Sequence, residues 1–202
     1  MNEVVKKYFD AQAHTYQHTW NKWPGSQIRQ SESSAVMSLY NSNEIANKTI
    51  VEFGSGSGYY TRLLLTANPK RIYAIDFSQA MLDNLPSAPA GTIIPVHGDA
   101  TTVTLETKFS FLLSAGLLEF VPSPALAIAN MAKHALPEAT LIVLMPLNNW
   151  LGKLYRLFHQ SHGVNITLFS LAQFKQLVGS HWQVVAFKKC GLFSVAARLK
   201  LK

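Results

Sequence analysis

The stretch "TIVEFGSGSGYYT", residues 49–61, sets an apolar run directly before three glycines in five positions and then a helical pattern. Glycine behind a buried strand permits the backbone angles of a sharp turn and lets a ligand approach bare main chain. In an open α/β sheet the first βα loop lies beyond the carboxyl ends of the strands, lining the crevice where strand order reverses. This loop is the first candidate for a binding site.

Downstream of the loop and of the helix it opens, about Gly58 to Thr66, short apolar runs keep alternating with helical patterns. They are "RIYAID", a helix from about Ser78 to Leu85, "TIIPV", "FSFLLSA", a helix over "PALAIANMAKHAL", and "TLIVLMP". Such alternation predicts right-handed βαβ units and a parallel sheet with helices on both faces. Helices near Trp150–Gln160 and Leu171–Val178 follow. The runs "WQVVAFKK" and "LFSVAARLK", turning at Cys190 and Gly191, predict an antiparallel hairpin at the sheet edge. Upstream, Val4, Val5, Tyr8, Phe9, Ala13 and Tyr16 have helical spacing; "NKWPGSQ" breaks the pattern, and a second helix is expected from near Ser31.

Of 202 residues, 48% are hydrophobic and 14% charged, which predicts one globular unit and excludes disorder. Cys190 is the sole cysteine, so an internal disulfide is excluded and no metal site is expected. The N-terminus lacks the apolar stretch of a secretory signal, and "FSFLLSAGLLEFV" falls short of the roughly 18 residues that span a bilayer. A cytoplasmic protein is expected. The net charge of +7 resides in the C-terminal third: residues 139–202 hold eight Lys and Arg and no acid. Such asymmetry attracts anionic substrates, lipid surfaces, acidic proteins or nucleic acid without choosing among them.

A dinucleotide fingerprint requires its third glycine at position 59, which is Tyr59; the glycine stands at Gly58 instead. The spacing Gly54-x-Gly56-x-Gly58, with Glu52 ahead of it, resembles the E/D-x-G-x-G-x-G motif of class I S-adenosylmethionine (SAM) dependent methyltransferases. Asp76 closes the second strand, "HGDATT" follows the third, and "LLSAGLLEFVPSPALAI" matches the family's fourth-strand region. The resemblance spans residues 49–146. It departs at "LPEA", Leu136–Ala139, where relatives carry a "K-P-G-G" turn.

This resemblance implies a Rossmann-like class I methyltransferase fold: a mostly parallel seven-stranded sheet, helices on both faces, and a C-terminal antiparallel hairpin. It implies a single domain, with residues 1–47 as a helical cap, 48–146 as cofactor core and 147–202 on the acceptor side. The cofactor would be SAM, leaving as S-adenosylhomocysteine (SAH). Its implied contacts are Glu52, Gly54, Ser55, Gly56, Gly58 and Tyr59; Asp76, Phe77 and Met81; Asp99 and Ala100; and Ser114, Ala115 and Gly116. In this scheme Asp76 accepts two ribose hydroxyls and Asp99-Ala100 meets the adenine. The opening "YFDAQAHTYQHTW" resembles the "F-D-x-x-A-x-x-Y-D" start of small-molecule methyltransferases, among them the malonyl-carrier-protein, quinone and magnesium-protoporphyrin enzymes. There Tyr8 and Tyr16 match the aromatics that close over the cofactor.

Methyl transfer from a sulfonium is an in-line displacement, so alignment and exclusion of water supply much of the acceleration. For an acceptor with a proton to lose, a base adds roughly 10²–10⁴-fold. Glu119, His159 and His162 are the candidates for that role. His14 and His18, four apart, share a helix face with no third ligand nearby, which reads as a solvated face. The basic amphipathic run "NNWLGKLYRLFHQSHG" suggests a lipophilic, anionic or carrier-bound acceptor, or peripheral membrane contact through residues 150–160. A monomer or homodimer is expected. The alternatives are a catalytically silent SAM-binding partner or regulatory protein and an RNA methyltransferase. A nicotinamide oxidoreductase is disfavoured by Tyr59, and nucleic acid in general by the absence of a D/N-P-P-Y/F loop and of interleaved aromatics and arginines.

Overall fold

The computed structural model describes residues 3–14 and 25–202. Two helices, α1 (Glu3–Gln12) and α2 (Gly25–Met37), precede a 3₁₀ turn at Ser42–Glu44. Then come β1 (Thr49–Phe53), α3 (Tyr59–Leu65), β2 (Arg71–Asp76), α4 (Gln79–Leu82), β3 (Ile93–His97) and β4 (Phe109–Ala115). The chain ends with α5 (Pro124–Lys133), β5 (Ala135–Pro146), α6 (Trp150–Ser161), α7 (Leu171–Val178), β6 (Trp182–Cys190) and β7 (Ser194–Leu201).

The seven strands form one sheet in the order β3-β2-β1-β4-β5-β7-β6. Pairings among β1 to β5 are parallel, while β7 runs antiparallel to both β5 and β6. This is the Rossmann-like arrangement, and the order reverses between β1 and β4. The loops leaving those two strands therefore face the same crevice.

Neighbouring residues on each buried strand serve opposite faces of the sheet, because strand side chains alternate. On β5, Leu141, Val143 and Met145 join Trp182 and Phe174 in one core, whereas Ile142 and Leu144 join Ile50, Leu64 and Phe111 in the other. Helices α5 and α7 cover the first face, and α2 and α3 the second. Each fully buried large side chain contributes about 1.5–3 kcal/mol by leaving water. A third, smaller cluster of Val5, Phe120, Val164, Ile166 and Leu168 seats α1 over the chain that follows β4.

Several expectations move at their boundaries. Helix α2 begins at Gly25, ahead of Ser31, because its first turns bury little and carry no strong apolar period. Helix α4 stops at Leu82 rather than Leu85; Pro86 disfavours helical angles in the residue before it. "LPEA" forms no turn: β5 runs through it, with Glu138 at φ 60° and a register shift opposite Phe109–Phe111. The hairpin turn lies at residues 191–193, after Cys190. Tyr16 and His18 lie outside the described residues, and His14 is exposed just beyond α1.

Candidate active site

A single cleft opens where strand order reverses, and the glycine loop is its floor. Gly54, Gly56 and Gly58 all have positive φ, at 77°, 51° and 80°. The reason differs between the first two. A Cβ on Gly54 would stand 2.9 Å from Leu117 Cβ, so glycine lets the loops after β1 and β4 meet. At Gly56 no atom lies within 4 Å of where a Cβ would be, so its main chain is bare towards the cleft.

Asp76, at the tip of β2, is 8% exposed and lines the same cleft. Gly56 N–H donates to Oδ2 at 2.8 Å and Ser78 N–H to Oδ1 at 3.0 Å. Burial pushes its carboxyl above the ordinary range, and these N–H groups oppose that push. The result is a fixed carboxylate with lone pairs left for further donors. Ser78 Oγ caps α4 by accepting from Met81 N–H and donates at 2.5 Å to Asp10 Oδ1 of α1. The loop after β2 is thereby tied to the N-terminal helix, which brings Phe9 into the cleft wall.

Of the residues implied by the family resemblance, Gly54, Ser55, Gly56, Tyr59, Asp76, Phe77, Met81, Ala100, Ala115 and Gly116 line this cleft. The other described ones are not in its lining. Glu52 is 2% exposed and accepts from Thr61 Oγ1 at 2.6 Å; burial raises its carboxyl to about 8. It joins β1 to α3. Gly58 is the N-cap of α3, Ser114 is fully buried in β4, and Asp99 accepts from the Thr101 N–H and hydroxyl. Tyr8 faces His159 and His162, so Phe9, its neighbour, takes the place in the cleft.

The three candidate bases separate clearly. Glu119 lines the cleft and is 4% exposed; its Oε2 has no hydrogen-bond partner among the described residues, and burial lifts its carboxyl to about 8. His159 is buried among Tyr8, Phe120, Tyr155 and Phe158, away from the cleft lining, with neither nitrogen partnered. Burial and the His162 charge hold it down to about 4. His162 is exposed at the end of α6, with Nδ1 against Phe158 O. Neither ring is in the cleft lining, whereas Tyr155 of the same helix is.

The far half of the cleft is built by residues that carried no motif. Helix α2 supplies Ile28, Arg29 and Glu32, and the chain entering β7 supplies Phe193 and Ser194. Ser194 Oγ donates to Glu32 Oε1 at 2.6 Å, and the Arg29 guanidinium lies 4.4 Å from the centre of the Tyr59 ring. Phe193 stacks on Tyr155 with centroids 5.1 Å apart. The signal available in the sequence was slight: Glu32 is an isolated acid in a weakly periodic helix.

A bare glycine main chain beside a fixed carboxylate suits a nucleoside with vicinal hydroxyls, since Asp76 retains acceptor capacity where the backbone comes closest. Among the described residues no group of His, Cys, Asp and Glu could hold a metal ion.

A search of curated proteins returns no match. Among solved structures, the magnesium protoporphyrin IX methyltransferase ChlM from Synechocystis PCC 6803 with bound SAH is similar, at TM-score 0.77 and 15% identity, over 98% of this chain and 99% of that one. The N-methyltransferase NodS from Bradyrhizobium japonicum WM9 in complex with SAH is similar at TM-score 0.75 and 15% identity, with the same coverage of 98% and 99%. A DhpI-SAM-HEP complex is similar at TM-score 0.74 and 18% identity, over 98% of this chain and 96% of that one. Residues 51–143 match the family described as "Methyltransferase domain". Residues 51–143 are thus similar to a methyltransferase domain, and the chain shares the Rossmann-like fold of the SAH-bound methyltransferases it resembles.

Proposed function

We propose that this protein is a SAM-dependent methyltransferase acting on a small, partly apolar molecule. The observation that carries the reading is Asp76, held at the cleft floor by the Gly56 and Ser78 N–H groups beside open glycine main chain. Bound there, SAM would supply an activated methyl on a sulfonium, with SAH as the product. Asp76 would take the ribose hydroxyls, and Phe77, Met81 and Ala100 would flank the base. Ala115 and Gly116, where β4 ends, would border the sulfonium and lead to Glu119.

The chain's own contribution to transfer is alignment and exclusion of water. Phe9, Phe120, Tyr155 and Phe193 close an apolar wall around the far half of the cleft, which fits a molecule of modest size. Lys153 and Arg156, which suggested an anionic acceptor, do not line the cleft. The outward face of α6 instead presents Trp150, Leu154, Leu157 and Phe158, each more than half exposed, beside Lys153. That face supports peripheral contact with an anionic lipid surface, within reach of the cleft through Tyr155.

Calorimetric titration with SAH, SAM and NAD tests the cofactor. Binding of both sulfur nucleosides with no heat from NAD is expected; tight NAD binding without either would end the methyltransferase reading.

A further inference from the structure

The cleft holds polar groups for which the described residues offer no hydrogen-bond partner. Among the described residues neither Glu119 Oε2, which is buried, nor the Tyr60 hydroxyl, also in the lining, has a hydrogen-bond partner. Glu32 faces the same space, with one oxygen taken by Ser194. A buried acceptor left unmade costs about 1–3 kcal/mol, so a structure that keeps Glu119 there gains when a ligand donates to it. Among the described lining residues Arg29 is the one cation of the far half; it lies over Tyr59 and its charge acts on Glu32. Two carboxyl groups beside one guanidinium, walled by the stacked Tyr155–Phe193 pair, form a place where an organic cation is held once Glu119 ionises.

We infer that the methyl acceptor is an amine, which enters as an ammonium ion, is held by Glu32 and Glu119, and gives a proton to Glu119. The inference rests on the methyltransferase reading. An ammonium ion has no lone pair, so it must lose a proton before it can attack. Once a proton moves to the Glu119 carboxylate, the amine lone pair forms the new N–C bond while the C–S bond breaks and its electron pair stays on sulfur. The product leaves as the N-methylammonium ion, and Glu119 returns its proton to water. Burial and the nearby Glu32 charge keep the Glu119 carboxyl high, at about 8, close to what an acceptor of an amine proton needs. An anionic acceptor would keep Glu119 protonated and leave it no capacity to take a proton.

The test uses the full chain saturated with SAH near pH 7, titrated calorimetrically with 2-phenylethylamine and, in parallel, with the anion 3-phenylpropionate. The amine is expected to bind and the anion not to. Because Glu119 must ionise to pair with the ammonium, amine binding releases protons, read as an enthalpy that changes with the ionisation heat of the buffer. Glu32→Gln and Glu119→Gln keep side-chain shape, and thermal melts confirm their folding. Each is expected to weaken the amine about tenfold or more, with Glu119→Gln also cutting the proton release and neither changing SAH affinity. Absence of amine binding, preference for the anion, or amine affinity untouched by both substitutions overturns the amine assignment and leaves the SAH result standing. Failure of SAH itself to bind removes the methyltransferase reading instead.

Discussion

At Asp76 two backbone N–H groups fix the carboxylate before any ligand arrives, so little ordering remains to be done on binding. Asp76→Ala is expected to weaken SAH by about 1–3 kcal/mol, or roughly 5- to 150-fold, in a folded variant measured by calorimetry. Glu119 shows the opposite economy: its burial raises the carboxyl from an ordinary 4.5 to about 8. The unfolded chain ionises first, so the stability linked to Glu119 is complete below about 4.5 and drains away as pH rises through about 8. Melting curves of Glu119→Gln should accordingly show a smaller loss of Tm between pH 5 and 8 than the parent, with a gain of about 1–3 kcal/mol at pH 8. Glu52, raised by burial in the same way, leaves part of the slope in both proteins.

Among elements, α6 is apolar on two sides. Its inner face, with Gly152, Tyr155 and His159, packs on the molecule; its outer face leaves Trp150 at 70% and Leu157 at 58% exposure. Asn149 caps the helix by accepting from Gly152 N–H at 2.8 Å. A Cβ at Gly152 would collide with the Leu147 carbonyl, so glycine sets how closely α6 follows β5. If the outer face meets lipid, vesicles containing phosphatidylserine should co-sediment the protein better than pure phosphatidylcholine, and Trp150→Glu with Leu157→Glu should abolish the difference. Co-sedimentation unchanged by that pair of substitutions would place the contact elsewhere.

On the scale of the molecule, the 3₁₀ turn before β1 is tied to the far side of the sheet by Glu44 and Arg198. The guanidinium donates to both carboxylate oxygens, at 2.9 and 2.7 Å, and also to Leu39 O and Thr140 Oγ1. Partial burial pushes the Glu44 carboxyl up, but the Arg198 bonds and the Asn41 N–H outweigh it and hold the group down to about 2. The linked stability is present above about 4.5 and is lost as pH falls through about 2. Glu44→Gln should cost about 1–3 kcal/mol by urea unfolding at pH 7 and nothing near pH 2.

The run of strands and helices from residue 49 onward was legible because alternation between apolar runs and helical periods depends on local pattern alone. The glycine loop and Asp76 were legible for a related reason: positive φ and a carboxylate at a strand end are demands of one short segment. Strand order was different. That β7 lies between β5 and β6, and that α2 reaches the cleft, follow from which apolar faces cover one another across long separations in the chain. Local pattern in the sequence accounts for the fold class and the glycine floor of the cleft. Tertiary packing made the rest, drawing Glu32, Glu119, Tyr155 and Phe193 from four distant segments and leaving His159 out of the lining. Burial and the meeting of remote side chains are properties of the folded whole, and no local period carries them.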